Sequence, residues 1–371
     1  MDRSIAIVFN GLYVGGAEKF GVTLANKFAN TGYTTTIFIF KKLDSPLLSL
    51  IDEKIEIVNI QRKSKFDIIL HKQFDREINT RNIKKVFIIG LFPLFLFRIL
   101  SFKKSIGIDY YISLHSTIPG SLKSYLQNFF YLRFIRKTDN VLFICKNQKL
   151  FYNHKYFFNP SISEVIYNGV DVEYYKPGVI NILENQKEIM KIGPKEPVIL
   201  LAATIRPEKG HAYAIESLKK LHINYPDKSN AHLVFIGGGE NSYVESLKAL
   251  VQKCSLQSFV HFEGSQKDVR KYYELADIFT LTSFSVETFS LAALEAMCYG
   301  LPLSLTNIGG ASEMVIVDKN GILTNARDIN SIASSWAYLL DKKLDKTEIR
   351  KIALNNYSLD KMFKKYQEVI N

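Results

Sequence analysis

Residues 283–302 read SFSVETFSLAALEAMCYGLP, a stretch apolar enough for a protein core that nevertheless carries two glutamates, Glu287 and Glu295. Immediately upstream, DIFTLTS (277–283) has the short β-branched and aromatic pattern of a strand. The spacing then predicts a loop at SVET and a helix over FSLAALEAMCYG, stopped by Gly300 and Pro302. Strand, tight turn and helix in that order are the repeating unit of parallel sheets with crossover helices. In open sheets of this kind ligands bind beyond the carboxyl ends of the strands, so the chemistry is to be sought in the turns.

The same alternation runs along the whole chain. The first half offers strands at SIAIVFN (4–10), TTIFIF (35–40), KVFIIG (85–90), YYISLH (110–115) and NVLFIC (140–145), with an amphipathic helix over AEKFGVTLANKFANTG (17–32). A second series follows at PVILLAA (197–203), HLVFIGG (232–238), FVHFEG (259–264), DIFTLTS and PLSLTN (302–307). Between them, residues 165–197 are dense in Gly, Pro, Asn and charge and read as a domain junction. The length of 371 residues exceeds what one core usually supports. Two α/β domains are expected, 1–170 and 171–355, with a terminal helix over 356–371.

Lys and Arg total 48 against 36 Asp and Glu, a net charge of +12 that favours anionic partners. Phosphates, acidic lipid surfaces and nucleic acid all satisfy that charge, but no nucleic-acid-binding motif is recognisable. The three cysteines, Cys145, Cys254 and Cys298, are far apart, which suggests neither a zinc site nor a disulfide framework and fits a reducing cytoplasm. The apolar run at the start is short and broken by Asn10 and Gly11, so it reads as a strand rather than a signal peptide. Residues 84–104, KKVFIIGLFPLFLFRILSFKK, are interrupted by Pro93 and Arg98 and fall short of the ~20 apolar residues that span a bilayer. A buried strand and a covering helix explain them. A sharper expectation keeps that structure and also lets Phe92, Phe95, Leu96 and Ile99 touch lipid, with Lys103 and Lys104 facing anionic headgroups, and both can hold at once.

Three turns invite a phosphate. At FNGLYVGGAEKF, Gly15 and Gly16 allow close backbone approach where a helix begins. At AATIRPEKGH, Arg206 and Lys209 stand between a strand and a helix, two cations where helix amides already favour an anion. At FIGGGENSY, Gly237 to Gly239 give a third close approach. Taken alone, the first turn is more often simple strand-to-helix geometry, solvated surface charges explain the second equally well, and the third is a weak signal. Glu287 falls in a fourth turn, and Glu295, eight positions on, would lie about 80° away on a continuous helix. The amides of Phe289, Ser290 and Leu291 crown the helix between them. A diphosphate with a sugar on one side and a ribose on the other has that layout, although a capping acid and a solvated acid would share the spacing.

As a set, ETFSLAALEAMCYGLPLSLTNIGGASEMV, VGGAE, LHS (114–116), VIYNGVD (165–171) and IRPEKG (205–210) resemble the landmarks of the retaining glycosyltransferases of family 4, in that family's order. The resemblance implies the GT-B fold: two Rossmann-like, doubly wound parallel-sheet domains facing across a cleft, with a C-terminal helix crossing back to the first. It implies transfer of a sugar from a UDP- or GDP-sugar to a glycan or lipid-linked oligosaccharide, with retention of anomeric configuration. Glu287 would hold the donor sugar and Glu295 the ribose. Arg206 and Lys209 would neutralise the diphosphate with help from amides at Gly16 and at Phe289 to Leu291, and His115 would face the reacting sugar. Ser290 stands where many members have Gly, which should tighten the amide pocket but leave its donors in place. The sequence contains no DxD pair, so neither a metal nor another cofactor is expected. A GT-B sugar-nucleotide epimerase and a noncatalytic partner subunit are the other readings. A cytoplasmic chain, peripheral on the inner face of an anionic membrane, suits the charge and the acceptor.

Overall fold

Thirteen strands among the described residues form two wholly parallel sheets, each in its own compact unit of the computed structural model. The structure describes residues 3–13, 15–64, 67, 69–98, 107–116, 121–178 and 187–371. The chain divides into Met1–Asn168 with Phe363–Asn371, and Gly169–Met362.

In the first unit the strands are β1 (Ser4–Phe9), β2 (Thr34–Ile39), β3 (Glu56–Asn59), β4 (Lys85–Ile89), β5 (Asp109–Leu114), β6 (Asn140–Phe143) and β7 (Ile162–Val165), ordered β3-β2-β1-β4-β5-β6-β7. The two-residue period of β1 sorts its side chains between two cores. Ala6 and Val8 join Phe38, Phe74, Leu94 and Phe95 on one face. Phe9 points to the other, where it packs so tightly on helix Gly16–Asn30 that only Gly fits at 21. The last turns of helix Leu359–Ile370 complete this second face. Phe363 packs edge-on to Phe28 with ring centroids 5.0 Å apart, Tyr366 lies 5.9 Å from Phe87, and Lys85 Nζ donates to the Ile370 carbonyl at 2.6 Å.

In the second unit the strands are β8 (Val198–Ala202), β9 (His232–Ile236), β10 (Val260–Phe262), β11 (Ile278–Leu281), β12 (Leu303–Thr306) and β13 (Gly321–Thr324), ordered β10-β9-β8-β11-β12-β13. Ile199, Leu201, Leu233 and Phe235 pack with Leu218 and Trp336 of the helices His211–Asn224 and Ile329–Lys342. Phe279 points to the opposite face, toward Tyr273.

The lipid-facing expectation for the segment after β4 needs correction. Phe95 and Leu96 are 1% and 2% exposed and belong to the core, and Phe92 is half-buried against it. Arg98 is buried too. Its guanidinium pairs with Asp139 and donates to the Phe134 carbonyl at 2.8 Å, tying the end of helix Leu91–Arg98 to the chain ahead of β6. Ile99, Lys103 and Lys104 lie outside the described residues. Among the described residues no helix is long and apolar enough to cross a membrane.

Candidate functional site

A doubly wound sheet opens a crevice where the strand order reverses, between neighbours whose crossovers run in opposite directions. In the second unit that point lies between β8 and β11. The loop after β8 carries Arg206-Pro-Glu-Lys209-Gly210, and the loop after β11 carries Ser283 to Ser290.

The two loops are bonded to each other. The Phe284 amide donates to the Glu208 carbonyl at 3.0 Å, and Thr282 Oγ1 donates to the Gly210 carbonyl at 2.9 Å. Gly210 has φ of +75°, and a Cβ there would stand 2.0 Å from the Thr282 carbonyl oxygen, so no other residue fits. That close approach turns Lys209 across to the neighbouring loop. Its ammonium donates to Glu287 Oε2 at 2.8 Å and to the Val286 carbonyl at 2.9 Å, with both charged side chains largely withdrawn from water. Ser283 Oγ approaches the same carboxylate oxygen at 3.5 Å. From behind, the Gly310 amide donates to the Thr288 carbonyl at 2.6 Å and holds the turn. Arg206 behaves differently: it is exposed, and its Nε lies 3.4 Å from Glu208.

Helix Leu291–Cys298 starts directly after this turn, with Ser290 as its N-cap. The Ser290 hydroxyl accepts the Ala293 amide at 3.2 Å, so serine here takes up one helix-end amide rather than simply narrowing the pocket. Phe289 is buried, with its ring 5.6 Å from Tyr357. Glu295 is 5% exposed, and its carboxylate accepts the Tyr273 hydroxyl at 2.8 Å. Tyr175 also bonds this carboxylate, and burial together with the Glu295 charge pushes the hydroxyl pKa of both tyrosines up. The structure therefore joins Lys209 to Glu287 and gives Glu295 a separate, tyrosine-lined setting. Tyr273 and Tyr175 were not anticipated, because each lies outside residues 283–302, in the charged segments RKYYEL (270–275) and VEYYKPG (172–178). Gly237 follows β9, where φ of +141° and a would-be Cβ 2.0 Å from the Ala203 carbonyl account for the glycine. Its amide donates to the Gly264 carbonyl at 2.9 Å.

Gly15, Gly16 and His115 belong to the first unit, where Gly15 and Gly16 follow β1 at that sheet's own reversal. A Cβ on Gly15 would meet Glu18 Oε2 at 2.7 Å, so a carboxylate from the helix itself folds back over its positive end. Burial raises the Glu18 pKa. Gly16 is exposed, with open space where a side chain would stand. One turn further along the helix, Phe20 lies 4.5 Å from the His115 ring, which places the histidine beneath this helix end. His115 Nε2 and Ser113 Oγ are 2.9 Å apart. Burial pushes the ring pKa down to about 3, so the imidazole is neutral at pH 7 and acts as a hydrogen-bonding group, not a cation. Among the described residues, no group of His, Cys, Asp and Glu that could hold a metal ion comes together.

Comparison with known proteins agrees with this architecture. Residues 14–174 match the model for Glycosyltransferase Family 4, and residues 183–356 match the model for Glycosyl transferases group 1. Over 201 residues the chain is 27% identical to a D-inositol 3-phosphate glycosyltransferase of Corynebacterium glutamicum, covering 53% of this chain and 47% of that one. Over 192 residues it is 29% identical to a GDP-mannose-dependent alpha-(1-6)-phosphatidylinositol monomannoside mannosyltransferase of Mycobacterium tuberculosis, covering 49% and 48%. The chain thus spans about half the length of the curated relatives it matches. The crystal structure of Anabaena HepE in complex with UDP superposes with a TM-score of 0.83 over 99% of both chains at 18% identity, and the fold is GT-B.

Proposed function

The chain belongs to glycosyltransferase family 4, and from that premise we propose that it moves a sugar from a nucleotide-diphosphate sugar to a hydroxyl of a glycan or lipid-linked oligosaccharide, retaining the anomeric configuration. The observation that carries this reading is the meeting of Lys209 and Glu287 at the reversal point of the second sheet. A cation and a carboxylate side by side at the carboxyl ends of parallel strands suit a ligand that is anionic at one end and polyhydroxylated at the other.

In this reading the donor diphosphate competes with Glu287 for the Lys209 ammonium. The released carboxylate then accepts hydroxyls of the transferred sugar and orients its reacting carbon. Arg206, exposed beside the same loop, reaches the outer phosphate oxygens, and the helix end at Phe289 to Leu291 adds amide dipoles. Such preorganised positive charge stabilises a departing diphosphate by several kcal/mol, about the scale of an oxyanion donor, with no resident metal or cofactor. Glu295 holds the ribose and is itself kept in place by Tyr273 and Tyr175. On the first unit, neutral His115 offers a hydrogen bond suited to a sugar, and the exposed Gly16 amide one suited to a phosphate. A UDP- or GDP-sugar is the donor class, in keeping with the GDP-mannose dependence of the mycobacterial relative and the UDP bound to HepE. The reading puts the chain in the cytoplasm at the inner face of a membrane, where such donors meet lipid-linked acceptors.

The test is nucleotide diphosphate release by the purified chain across a panel of UDP- and GDP-sugars, with and without glycolipid acceptors. Acceptor-dependent release and a product of unchanged anomeric configuration are expected. Isomerised donor formed without acceptor would replace transfer with epimerisation, and a chain that binds no donor would make it a partner subunit.

A further inference from the structure

Helix Leu122–Tyr131 lies on the first unit with one face turned inward and the other uncovered. Tyr125 stacks on Tyr156 with ring centroids 4.8 Å apart and donates to the Lys155 carbonyl, and Phe129 packs against the core. Leu122, Leu126 and Phe130, each four residues on from the last, form a stripe along the other face and are 75%, 56% and 49% exposed. With Phe95 and Tyr131 they line an open groove of about 590 Å³. Side chains this apolar, contiguous and wet mark an interaction surface.

The stretch of chain that carries the stripe is charged with one sign. From residue 110 to residue 138 the chain contains no Asp or Glu, while Lys123, Arg133, Arg136 and Lys137 all fall there. Lys123, Arg133 and Lys137 are exposed, and the Arg133 guanidinium sits 4.2 Å from the Phe129 ring centroid, at the edge of the apolar face. We propose that this stripe and its basic surround are the surface by which the chain docks on an anionic lipid bilayer. Apolar side chains between Lys and Arg are the pattern of a helix lying in the headgroup layer, with acyl chains taking the stripe and headgroups the cations. A second copy of the chain fits less well, because a two-fold contact would set Lys123 and Arg133 near their own copies. The inference deepens the location named above and rests on it. Vesicle binding needs neither donor nor acceptor, so its failure would leave the transfer reading standing.

Flotation of the full chain with phosphatidylglycerol–phosphatidylcholine vesicles, against phosphatidylcholine alone, tests it. Binding is expected on the anionic vesicles and should fall about tenfold or more between roughly 0.05 and 0.5 M salt. Leu126→Glu combined with Phe130→Glu should weaken it about tenfold or more with the circular dichroism spectrum unchanged, and Lys123→Glu alone about threefold. Lys351→Glu, an exposed lysine of the second unit with the same charge change, should alter binding less than about twofold. The single Lys123→Glu variant keeps the test intact if the double variant does not fold. Stripe variants that bind as the unmodified chain does, an equal loss in Lys351→Glu, or a dimer in sedimentation that the stripe variants make monomeric would each overturn the proposal.

Discussion

Lys209 and Glu287 lie 78 positions apart in the chain, yet the Lys209 ammonium stands 2.8 Å from Glu287 Oε2. Each follows a strand of the same neighbouring pair, β8 and β11, so the contact is a property of the sheet order and not of either loop alone. A pair poised in this way couples two halves of a ligand: whatever draws the cation away frees the carboxylate.

Glu287→Ala should lower turnover by about 10²-fold or more, because the interaction it removes orients the transferred sugar in the transition state. Nucleotide diphosphate should bind that variant almost as before. Calorimetric titration beside steady-state kinetics checks both halves, and a large loss of diphosphate affinity would assign Glu287 to the wrong end of the donor.

Lys209→Ala should weaken diphosphate binding and turnover together. Combined with Glu287→Ala, the stability losses should not add. A coupling of about 0.5–3 kcal/mol is expected from groups in direct contact, read from denaturant midpoints of the two single variants and the double. Strict additivity would mean that the observed ion pair is not populated in solution.

Glu295→Ala should cost about 1.5–3 kcal/mol in nucleotide diphosphate binding, as the ribose loses a charged hydrogen-bond partner. It should also lower the melting temperature, since the buried Tyr273 hydroxyl loses its carboxylate. Tyr273→Phe removes the support and leaves the carboxylate, so a smaller change in affinity is expected. Equal affinity in Glu295→Ala and the unmodified chain would confine Glu295 to a structural role.

Transfer should persist in excess chelator, because Arg206, Lys209 and the helix-end amides are assigned the charge stabilisation. Activity lost on chelation and restored by a divalent ion would return that task to a metal.

Acid should destabilise the fold earlier than carboxylate titration alone would dictate. Burial pushes the His211 ring pKa down to about 3, and both its ring nitrogens are buried without a hydrogen-bond partner among the described residues. The folded ring stays neutral while the unfolded one takes up a proton below about pH 6.5. The advantage is therefore complete above that pH and is lost as the pH falls toward 3, on the order of 1 kcal/mol per pH unit. His115 shifts in the same direction. Denaturant midpoints between pH 7 and pH 5 should show the slope. His211→Leu should flatten it and raise the midpoint at pH 5, and an unchanged slope would mean that the ring is not held neutral.

The apolar central strands and the edge strand β10 were legible in the sequence, and the other three edges were not. β3, β7 and β13 escaped because strands at a sheet margin are covered on fewer sides and need less apolar sequence: EIVN and ISEV mix exposed with half-buried positions, and GILT begins with glycine. The turn motifs around Lys209 and Glu287 were readable as local sequence, but the contact between them depends on which strands are neighbours. For the apolar segment after β4, hydropathy could not separate a core helix from a lipid-facing one. The face left uncovered is on the next helix, where a period of four carries the signal and the mean does not.

The order in which the chain is made gives the path of helix Leu359–Ile370 a further meaning. Phe363 and Tyr366 complete the aromatic layer on Phe20, Phe28 and Phe87, yet they are translated only after every residue of the second unit. On the ribosome the unit begun first is therefore the last to close, and its exposed aromatic face must wait through the synthesis of nearly two hundred residues. At ~5–20 residues per second that wait is roughly 10–40 seconds, a period in which a chaperone has reason to hold the nascent first unit and little reason to hold the second.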